Sequence, residues 1–316
     1  MKYVISISIF FVLSFFLVKT NDALSPAYLY QTSVQKTVTA ENEVVTAVAV
    51  GDIMLGRFVE ELSIRNNDWN YAFALSSEIF SGADIGFGNF EGSIPKVHTQ
   101  TPIYGYQFSV APKAAEAMRN AGINVVTLAN NHSSDFGEKG YSETASFLNE
   151  IGVASVGSSS SHVVEQNGIR VRFMGFNDTF APLSSDTVAS DVRNTKKDNE
   201  FLVVAIHFGD EYATSSNSRQ KALAHTIIDA GADVVIGHHP HVVEEHETYH
   251  GKAIFYSLGN FIFDQYFSEG TQNGLAIKMT IGKKDVTYEL IPIDLHQSRP
   301  RTIHGEVESF SRKREI

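Results

Sequence analysis

The sequence contains no cysteine, only one tryptophan, and fewer positive than negative side chains. Without cysteine, the chain has no disulfide, no thiolate metal site and no cysteine nucleophile. Its 36 Asp and Glu residues outnumber 25 Lys and Arg residues, which gives a formal net charge of −11. Nucleic acids and anionic membrane surfaces attract clustered Lys and Arg, so this charge argues against nucleic acid as a partner. Any bound anion should therefore be met locally, by metal ions or a few cationic side chains.

The first 22 residues have the pattern of an export signal. Lys2 precedes an apolar run over residues 3–18, and a short polar segment follows the run. The run is shorter than the ~20 residues of a typical transmembrane helix, and the charged start favours a secretory signal. Because Pro26 follows the only candidate cleavage site, a cleaved signal and an uncleaved N-terminal membrane anchor both remain open. The sequence predicts an extracytoplasmic protein, either secreted or anchored to the cytoplasmic membrane.

The remainder of the chain divides into a linker, one large domain and a polar end. Residues 23–42 are rich in Thr, Ser, Gln and Ala and show no apolar period, which is typical of a linker. Residues 43–295 alternate β-rich runs with helical stretches, the pattern of a layered α/β domain. The clearest predicted helix is 112–121, with proline at its start and glycine just past its end. Residues 296–316 are polar, and we expect them to form a solvated C-terminal tail.

Other elements of this domain are also predicted from local patterns. The predicted strands are 44–50, 84–87, 124–128, 169–176, 201–206, 233–236 and 253–257. Two further helices are predicted over 138–150 and 218–230, and a closing β-hairpin is predicted over 275–281 and 286–293.

Carboxylate, amide or imidazole side chains follow six of the predicted strands. They are Asp52, Asn89, Glu91, Asn130, Asn131, His132, His207, Glu211, His238, His239, His241 and Asn260. In open α/β sheets, ligands bind in the crevice at the carboxyl ends of the strands, so we expect these side chains to converge. Asp, Glu, Asn and His suit divalent Mn, Mg, Fe or Zn, and two such ions together can activate a phosphate ester.

Each of these residues also has an ordinary structural interpretation. Asp52 could be a turn residue, Asn130 and Asn131 could be left-handed turn residues, and His207 could be a buried, hydrogen-bonded histidine. His239 and His241 are more indicative, since they flank a proline in a short turn. The occurrence of all of them in one strand-end pattern favours a metal site over coincidence.

Six strings, in one order along the chain, resemble the motifs of a known family. They are GDIMLGR (51–57), GNFEGS (88–93), LANNHSSDFG (128–137), HFGDEY (207–212), GHHPHVV (237–243) and SLGNFIFD (257–264). These strings resemble the CapA-type capsule (poly-γ-glutamate) synthesis proteins, which are in turn similar to the calcineurin-like metallophosphoesterases. The resemblance implies a four-layer α/β/β/α sandwich, with two sheets flanked by helices and a dinuclear metal centre at the strand ends.

The resemblance also implies roles for individual residues. Those that match the family's metal ligands are Asp52, Asn131, His207, His239 and His241. His132 matches the histidine that protonates a leaving group, and His238 is a neighbour and not a ligand.

Two positions depart from the phosphoesterase pattern. Met54 stands where a histidine is usual, and Asn89 stands where a bridging aspartate is usual. Glu91 is the obvious substitute bridge, because its longer side chain can reach back two positions. These departures leave the number of metal ions, one or two, open.

Arg57 and Glu211 belong to the resembling strings as well. Arg57 could meet an anionic group of the substrate, or it could be a surface residue paired with Glu60 or Glu61. Glu211 could be a metal ligand or could orient His207.

Two functions follow from these expectations. The first is an enzyme of capsule polymer assembly that carries out metal-dependent hydrolysis or transfer, with a phosphorylated small molecule or poly-γ-glutamate as substrate. The second is a non-catalytic component of polymer synthesis or export, whose metal site is structural or binds polymer carboxylates. A free-standing exported phosphatase is a third. For the first two, we expect other capsule synthesis and export proteins at the membrane as partners.

Overall fold

The computed structural model describes residues 43–157, 160–305 and 307–314. The predicted signal or anchor and the predicted linker lie outside the described residues. Over the described ranges, no helix has both the length and the apolar character needed to cross a membrane.

Helices and strands alternate along most of the chain. The helices are α1 Arg57–Arg65, α2 Pro112–Asn120, α3 Gly137–Glu150, α4 Ser185–Thr195 and α5 Ser218–Asp229. The first eight strands are β1 Val44–Ile53, β2 Ile85–Phe90, β3 Val125–Thr127, β4 Ala154–Val156, β5 Ser161–Gln166, β6 Ile169–Asn177, β7 Glu200–His207 and β8 Val234–His238. The others are β9 His246–Tyr249, β10 Lys252–Phe255, β11 Asn260–Ile262, β12 Asn273–Gly282, β13 Asp285–His296, β14 Arg299–Thr302 and β15 Glu308–Lys313.

The strands form two sheets. The larger has the order β14-β13-β12-β1-β2-β3-β4, with β11 paired to β1 and β15 paired to β13. The smaller has the order β5-β6-β7-β8-β10-β9. In both sheets the central strands are parallel: β1 with β2 and β3 in the first, and β6 with β7 and β8 in the second. All of these strands therefore direct their carboxyl ends to one edge of their sheet.

Three apolar clusters hold four layers together. One lies between the two sheets and includes Phe87, Phe173 and Tyr288, all fully buried. The second packs α1, α2 and α3 on the outer face of the larger sheet, and the third packs α4 and α5 on the outer face of the smaller sheet. The strands β1, β7 and β8 are apolar on both faces because each is covered on both sides. The four-layer α/β/β/α sandwich is confirmed.

The polar C-terminal segment is part of the larger sheet. Strand β14 pairs antiparallel with the end of β13, and β15 pairs with its beginning. The prediction of a solvated tail after residue 295 is therefore wrong for these two strands. Both are edge strands with many exposed side chains, so their sequences lack the apolar alternation that identifies a half-buried strand.

Glycine at two positions lets neighbouring strands approach closely beside the polar strand ends. A Cβ atom on Gly237, in β8, would lie 1.9 Å from the carbonyl oxygen of Tyr256, just past β10. A Cβ atom on Gly51, in β1, would lie 1.9 Å from the carbonyl oxygen of Gly259. Backbone atoms, not flexible side chains, fill both places, so the strands can move aside only by distorting the sheet.

We predict that Gly237→Ala destabilises the protein. The added methyl group forces β8 away from the neighbouring backbone, and overpacking of this kind typically costs about 1–3 kcal/mol or more. The measurement is the free energy of unfolding in denaturant, with Gly305→Ala as the matched control. Nothing lies within 4 Å of a Cβ at Gly305 and its φ is not positive, so its substitution should change stability little. Equal stability of the two variants would contradict the prediction.

Candidate metal centre

The residues predicted to bind metal lie together where the carboxyl ends of the two sheets meet. His241, after β8, places its Nδ1 3.1 Å from Asp52 Oδ2 at the end of β1. His207, at the end of β7, places its Nε2 2.8 Å from Asn131 Oδ1, which follows β3. Glu91 Oε1, just past β2, lies 4.0 Å from His207 Nδ1. The structure thus brings these side chains from both sheets into one cluster, and their roles as ligands stay predictions.

Asp52 is a fully buried carboxylate with donors on both oxygens. Asn89 Nδ2 donates to Oδ1 at 2.8 Å, and the backbone N–H of His239 donates to Oδ2 at 3.4 Å. His238 Nδ1 lies 3.2 Å from Oδ1 without hydrogen-bond geometry. Burial by itself raises the pKa of Asp52, but the contacts and charges of His238 and His241 outweigh it and hold that pKa well below the usual value. Asp52 is therefore ionised and links the two sheets.

Two buried asparagines form a hydrogen-bonded pair beside Asp52. Asn130 Nδ2 donates to Asn89 Oδ1 at 2.9 Å and to the backbone oxygen of Phe90 at 2.8 Å. The backbone N–H of His132 donates to Asn130 Oδ1 at 3.0 Å. Neither Asn130 nor Asn131 has a positive φ, so the left-handed turn interpretation of this pair is wrong. Asn130 instead holds the side chain of Asn89 in place by donating a hydrogen bond to its Oδ1.

Glu91 and His207 are buried next to Asn89. Asn89 Nδ2 donates to Glu91 Oε1 at 2.9 Å and lies 3.2 Å from His207 Nδ1. Burial and the charge of Asp52 raise the pKa of Glu91 well above its usual value. Burial, followed by the charge of His239, lowers the pKa of His207 well below its usual value. In both cases the low-dielectric surroundings favour the uncharged side chain until a cation arrives.

Two groups of side chains have the spacing of metal ligands. The inner group is Asp52, Glu91 and His207, and the outer group is Glu211, His239 and His241; within each group, one donor atom per residue lies within 4.8 Å of the others. Several buried polar atoms here have no hydrogen-bond partner: Glu91 Oε2, His239 Nδ1 and both ring nitrogens of His238. Unpaired buried polar atoms are costly, and carboxylates with neutral imidazoles suit a divalent ion, so these residues fit a metal.

The turn after β8 holds two histidines in an unusual backbone conformation. His239 has a φ of 100° and His241 a φ of 59°, a region that residues other than glycine rarely adopt. Such conformations cost about 1–3 kcal/mol each and persist only where surrounding contacts enforce them. Tyr212 N–H donates to the carbonyl of Pro240 at 2.8 Å, which holds the turn from outside. In this turn, His241 contacts Asp52 and both histidines lie close to Glu211.

His132 is held by two residues that the sequence did not indicate. Its Nδ1 lies 3.0 Å from Asp135 Oδ2, and its ring stacks on Phe108 with centroids 3.8 Å apart. Asp135 also accepts a hydrogen bond from the backbone of Phe108 at 2.6 Å. The spacing of histidine and aspartate three residues apart in a turn was the available signal for this pair. With Nδ1 directed at a carboxylate, the imidazole presents Nε2 away from the loop.

Arg57 pairs with neither of the acidic residues that the sequence suggested. Its guanidinium bonds Asp264 and lies 4.7 Å from the ring centroid of Phe108. Glu61 instead pairs with Arg65, and Glu60 with His98. The surface-pair interpretation is wrong because the Arg57 side chain is only 13% exposed and pairs with Asp264, which the fold brings to it from the far end of the domain. Arg57 is therefore partly neutralised beside the cluster.

Glu211 and Asn260 lie on the outer side of the cluster. Asn260 Oδ1 is 3.1 Å from His241 Nδ1, which also contacts Asp52, so Nδ1 carries the proton and Nε2 is left to bind. Glu211 is exposed and groups with His239 and His241. Asn89 and Asn131, and not Glu211, contact the ring nitrogens of His207. The suggestion that Glu211 orients His207 is therefore wrong.

A cavity of about 520 Å³ adjoins the loop that carries Asn130. It lies between α3 and α4, and its charged lining residues are Glu138 and Asp191. The described lining contains no cationic side chain, so the cavity does not attract a polyanion.

We predict that divalent metal stabilises the protein through the outer group. A metal ion present at 100 times its Kd raises the free energy of unfolding by about 2.7 kcal/mol. For a chain of this size, that corresponds to an increase in Tm of roughly 5–10 °C. Thermal unfolding with and without Mn²⁺ or Zn²⁺ measures the shift, which His239→Ala and His241→Ala should each greatly reduce. His304→Ala, at a mostly exposed side chain outside the cluster, should retain it. A metal-independent Tm across several ions would contradict a preformed site.

The sequence matches known families and proteins over most of its length. The profile of the family described as "Bacterial capsule synthesis protein PGA_cap" matches residues 46–265. The capsule biosynthesis protein CapA of Bacillus anthracis is 32% identical in an alignment 295 residues long, gaps included, and the alignment covers 85% of this chain and 72% of that protein. The PGA biosynthesis protein CapA of Bacillus subtilis (strain 168) is 30% identical in an alignment 331 residues long, gaps included, and the alignment covers 95% of this chain and 82% of that protein.

Among solved structures, the chain is similar to the calcineurin-like phosphoesterase YfkN from Bacillus subtilis. The two share 12% sequence identity with a TM-score of 0.40, over 85% of this chain and 90% of the other. At that score, the likeness supports no conclusion about function. The profile match and the identity to two CapA proteins show that the chain belongs to the bacterial capsule synthesis protein family PGA_cap.

Proposed function

We propose that this protein is an exported component of capsule (poly-γ-glutamate) biosynthesis that carries out metal-dependent hydrolysis or group transfer, most simply at a phosphate. The observation that carries the proposal is the position of the His132–Asp135 pair directly beside the ligand cluster. His132 follows Asn131, whose side chain contacts His207, and its charge is among those that lower the pKa of His239, after burial and His241.

The described side chains supply an acid and a binding site. When bound, a divalent ion adds positive charge that polarises a phosphoryl or acyl oxygen. Asp135 fixes the proton on His132 Nδ1, and Nε2 makes no hydrogen bond to the described residues. The Asp135 carboxylate also stabilises the imidazolium form of His132, in which Nε2 carries a second proton. From that form, Nε2 can give its proton to the oxygen of a departing group as the bond to that group breaks, and the ring is left neutral with its proton on Nδ1. Phe108 and Asp135 hold the ring in one orientation, which limits the entropy lost in reaching the reactive geometry.

The family and the N-terminal export pattern support the proposed substrate and partners. Names of the relatives refer to capsule and PGA biosynthesis, which supports poly-γ-glutamate or a phosphorylated small molecule of its assembly as substrate. The export pattern of residues 1–22 supports action outside the cytoplasm, in secreted or membrane-anchored form, together with other capsule synthesis and export proteins.

One observation favours the non-catalytic alternative. The guanidinium of Arg57, a cation that could have met a substrate anion, is bonded to Asp264. A substrate phosphate would have to compete with that carboxylate. In this alternative, the metal site is structural or binds polymer carboxylates, and the protein supports polymer synthesis or export without chemistry of its own.

We predict that His132→Ala keeps metal binding and folding but lowers turnover by the ~10²–10⁴-fold typical of a lost acid–base group. The assay is a panel of phosphomonoesters and phosphodiesters with added Mn²⁺. The loss should shrink for substrates with good leaving groups, which need less protonation. Asp135→Asn should also lower turnover, since an amide can support the wrong tautomer of His132.

His225→Ala provides the comparison, because His225 lies on α5 and pairs with Glu247, outside the cluster. It should leave turnover unchanged. Unaltered turnover in His132→Ala with full metal content would reject the acid role and support the non-catalytic alternative.

A further inference from the structure

The inner and outer groups differ in what already occupies them. In the inner group, a single nitrogen, Asn89 Nδ2, lies 2.8 Å from Asp52 Oδ1, 2.9 Å from Glu91 Oε1 and 3.2 Å from His207 Nδ1. These residues are the three that have the spacing of metal ligands. A metal ion bound by them would require the same atoms at ~2.0–2.3 Å. The amide nitrogen therefore sits among the donor atoms that the ion needs.

Hydrogen bonds through Asn130 to backbone groups determine which atom of the Asn89 amide is the oxygen and which is the nitrogen. The backbone N–H of His132 is a donor, so the Asn130 atom that it meets is the oxygen. Asn130 Nδ2 then donates to the backbone oxygen of Phe90 and to Asn89, so the Asn89 atom that it meets is also an oxygen. The remaining atom of Asn89, which faces the inner group, is the NH₂ nitrogen. An amide NH₂ donates hydrogen bonds and does not bind metal.

Both oxygens of Asp52 are likewise already engaged by hydrogen-bond donors of the protein. Its Oδ1 accepts from Asn89, and its Oδ2 contacts the Nδ1 of His241 and the backbone N–H of His239. An orienting carboxylate behind a histidine is the usual arrangement outside a metal site. Asp52 thereby leaves Nε2 of His241 to bind an ion on the outer side.

In the outer group, by contrast, the histidine nitrogens that could bind an ion are not engaged by other described residues. His239 Nδ1 is buried and has no hydrogen-bond partner among the described residues. No hydrogen bond within those residues engages Nε2 of His241, and Glu211 is exposed with its carboxylate directed towards both histidines. Among the described residues, no hydrogen bond satisfies these two histidine nitrogens, and the carboxylate of Glu211 is close enough to bind the same ion.

We propose that this protein holds one divalent ion, in the outer group, and that the Asn89 amide fills the inner position in place of a second ion. Asp52 and Asn89 then serve as positioning residues for the histidines. The inference rests on the metal-dependent site proposed above but does not depend on turnover.

The test is metal content together with the electron paramagnetic resonance spectrum of the Mn²⁺-loaded protein. The purified protein, stripped with chelator and reloaded, should hold one Mn²⁺ per chain and give the spectrum of an isolated ion. Asn89→Asp replaces the NH₂ by a carboxylate oxygen that Asn130 still holds in place. It should raise the content to two ions per chain and give the broadened spectrum of a spin-coupled pair.

A second readout on the same variant is thermal stability. Without metal, Asn89→Asp places three carboxylates together, which should lower Tm by several degrees relative to the unsubstituted protein; Mn²⁺ should restore it. Asn124→Asp makes the same chemical change at an amide that bonds Gly86 N–H and the Asp84 carbonyl, at the amino end of β3. It should remain at one ion per chain.

The outcomes separate the two proposals. Two coupled ions in the unsubstituted protein would overturn the single-ion inference while supporting the metal site. One ion in both the unsubstituted protein and a folded Asn89→Asp variant would also overturn the role of the amide. Binding of no ion at all would reject the metal site and the proposed function with it. If Asn89→Asp does not fold even with Mn²⁺, the content and spectrum of the unsubstituted protein still decide the number of ions.

Discussion

The hydrogen bond between Asn89 and Asp52 is the contact on which the rest of the site depends. The two residues are paired in register at the ends of the adjacent parallel strands β1 and β2. Burying an ionised carboxylate is costly unless donors surround it, and the donors for Asp52 come from both sheets. The carboxylate thus acts as a tie between the layers, and it sets where the turn with His239 and His241 can lie. Removal of Asp52 would leave the imidazole of His241 and the backbone N–H of His239 without their common partner.

The site combines a rigid interior with a more open rim. Asn89, Asn130 and Glu91 are fully buried and hydrogen-bonded to backbone or to one another. Glu211 and Tyr212 are exposed on the outer side. Tyr212 is still partly covered, and this partial burial, together with the charge of Glu211, raises the pKa of Tyr212 to about 12. An arrangement of fixed inner side chains and accessible outer ones lets a ligand enter without disturbing the carboxylates. The strained turn after β8 is tolerated because Tyr212, which donates to the carbonyl of Pro240, and Asp52, which accepts from the backbone N–H of His239, hold it from both sides.

Membership of the capsule synthesis family and the local chemistry restrict function from two directions. The family connects the chain with capsule polymer assembly, and the polar strand ends bring together carboxylate and imidazole side chains that have the spacing of metal ligands. The formal net charge of −11 and the cation-free lining of the adjoining cavity argue against broad capture of a polyanion. A polyanionic substrate would therefore be met at one local point, the outer group, and not along an extended basic surface.

The sequence by itself determined the layered architecture and the positions of the polar strand ends. Strands such as β1 and β7 were predictable because parallel strands buried on both faces are continuous apolar runs, and α2 because proline and glycine mark its ends. It did not reveal α1, whose inner face buries Glu60 and Ser63 and whose N-cap, Gly56, has no capping side chain. Nor did it reveal α4, which begins without a side-chain cap, or the two polar edge strands at the C-terminus.

Only the tertiary structure decided which partners the functional side chains have. Local patterns place Arg57 near Glu60 and Glu61, whereas the fold brings Asp264, some 200 positions away in the chain, to its guanidinium. The direction in which the Asn89 amide points was equally invisible in the sequence. It follows from a chain of hydrogen bonds through Asn130 to the backbone of His132. Periodicity reports burial and strand ends, because those depend on near neighbours; donors and acceptors are matched across the whole molecule, so their pairing requires the fold.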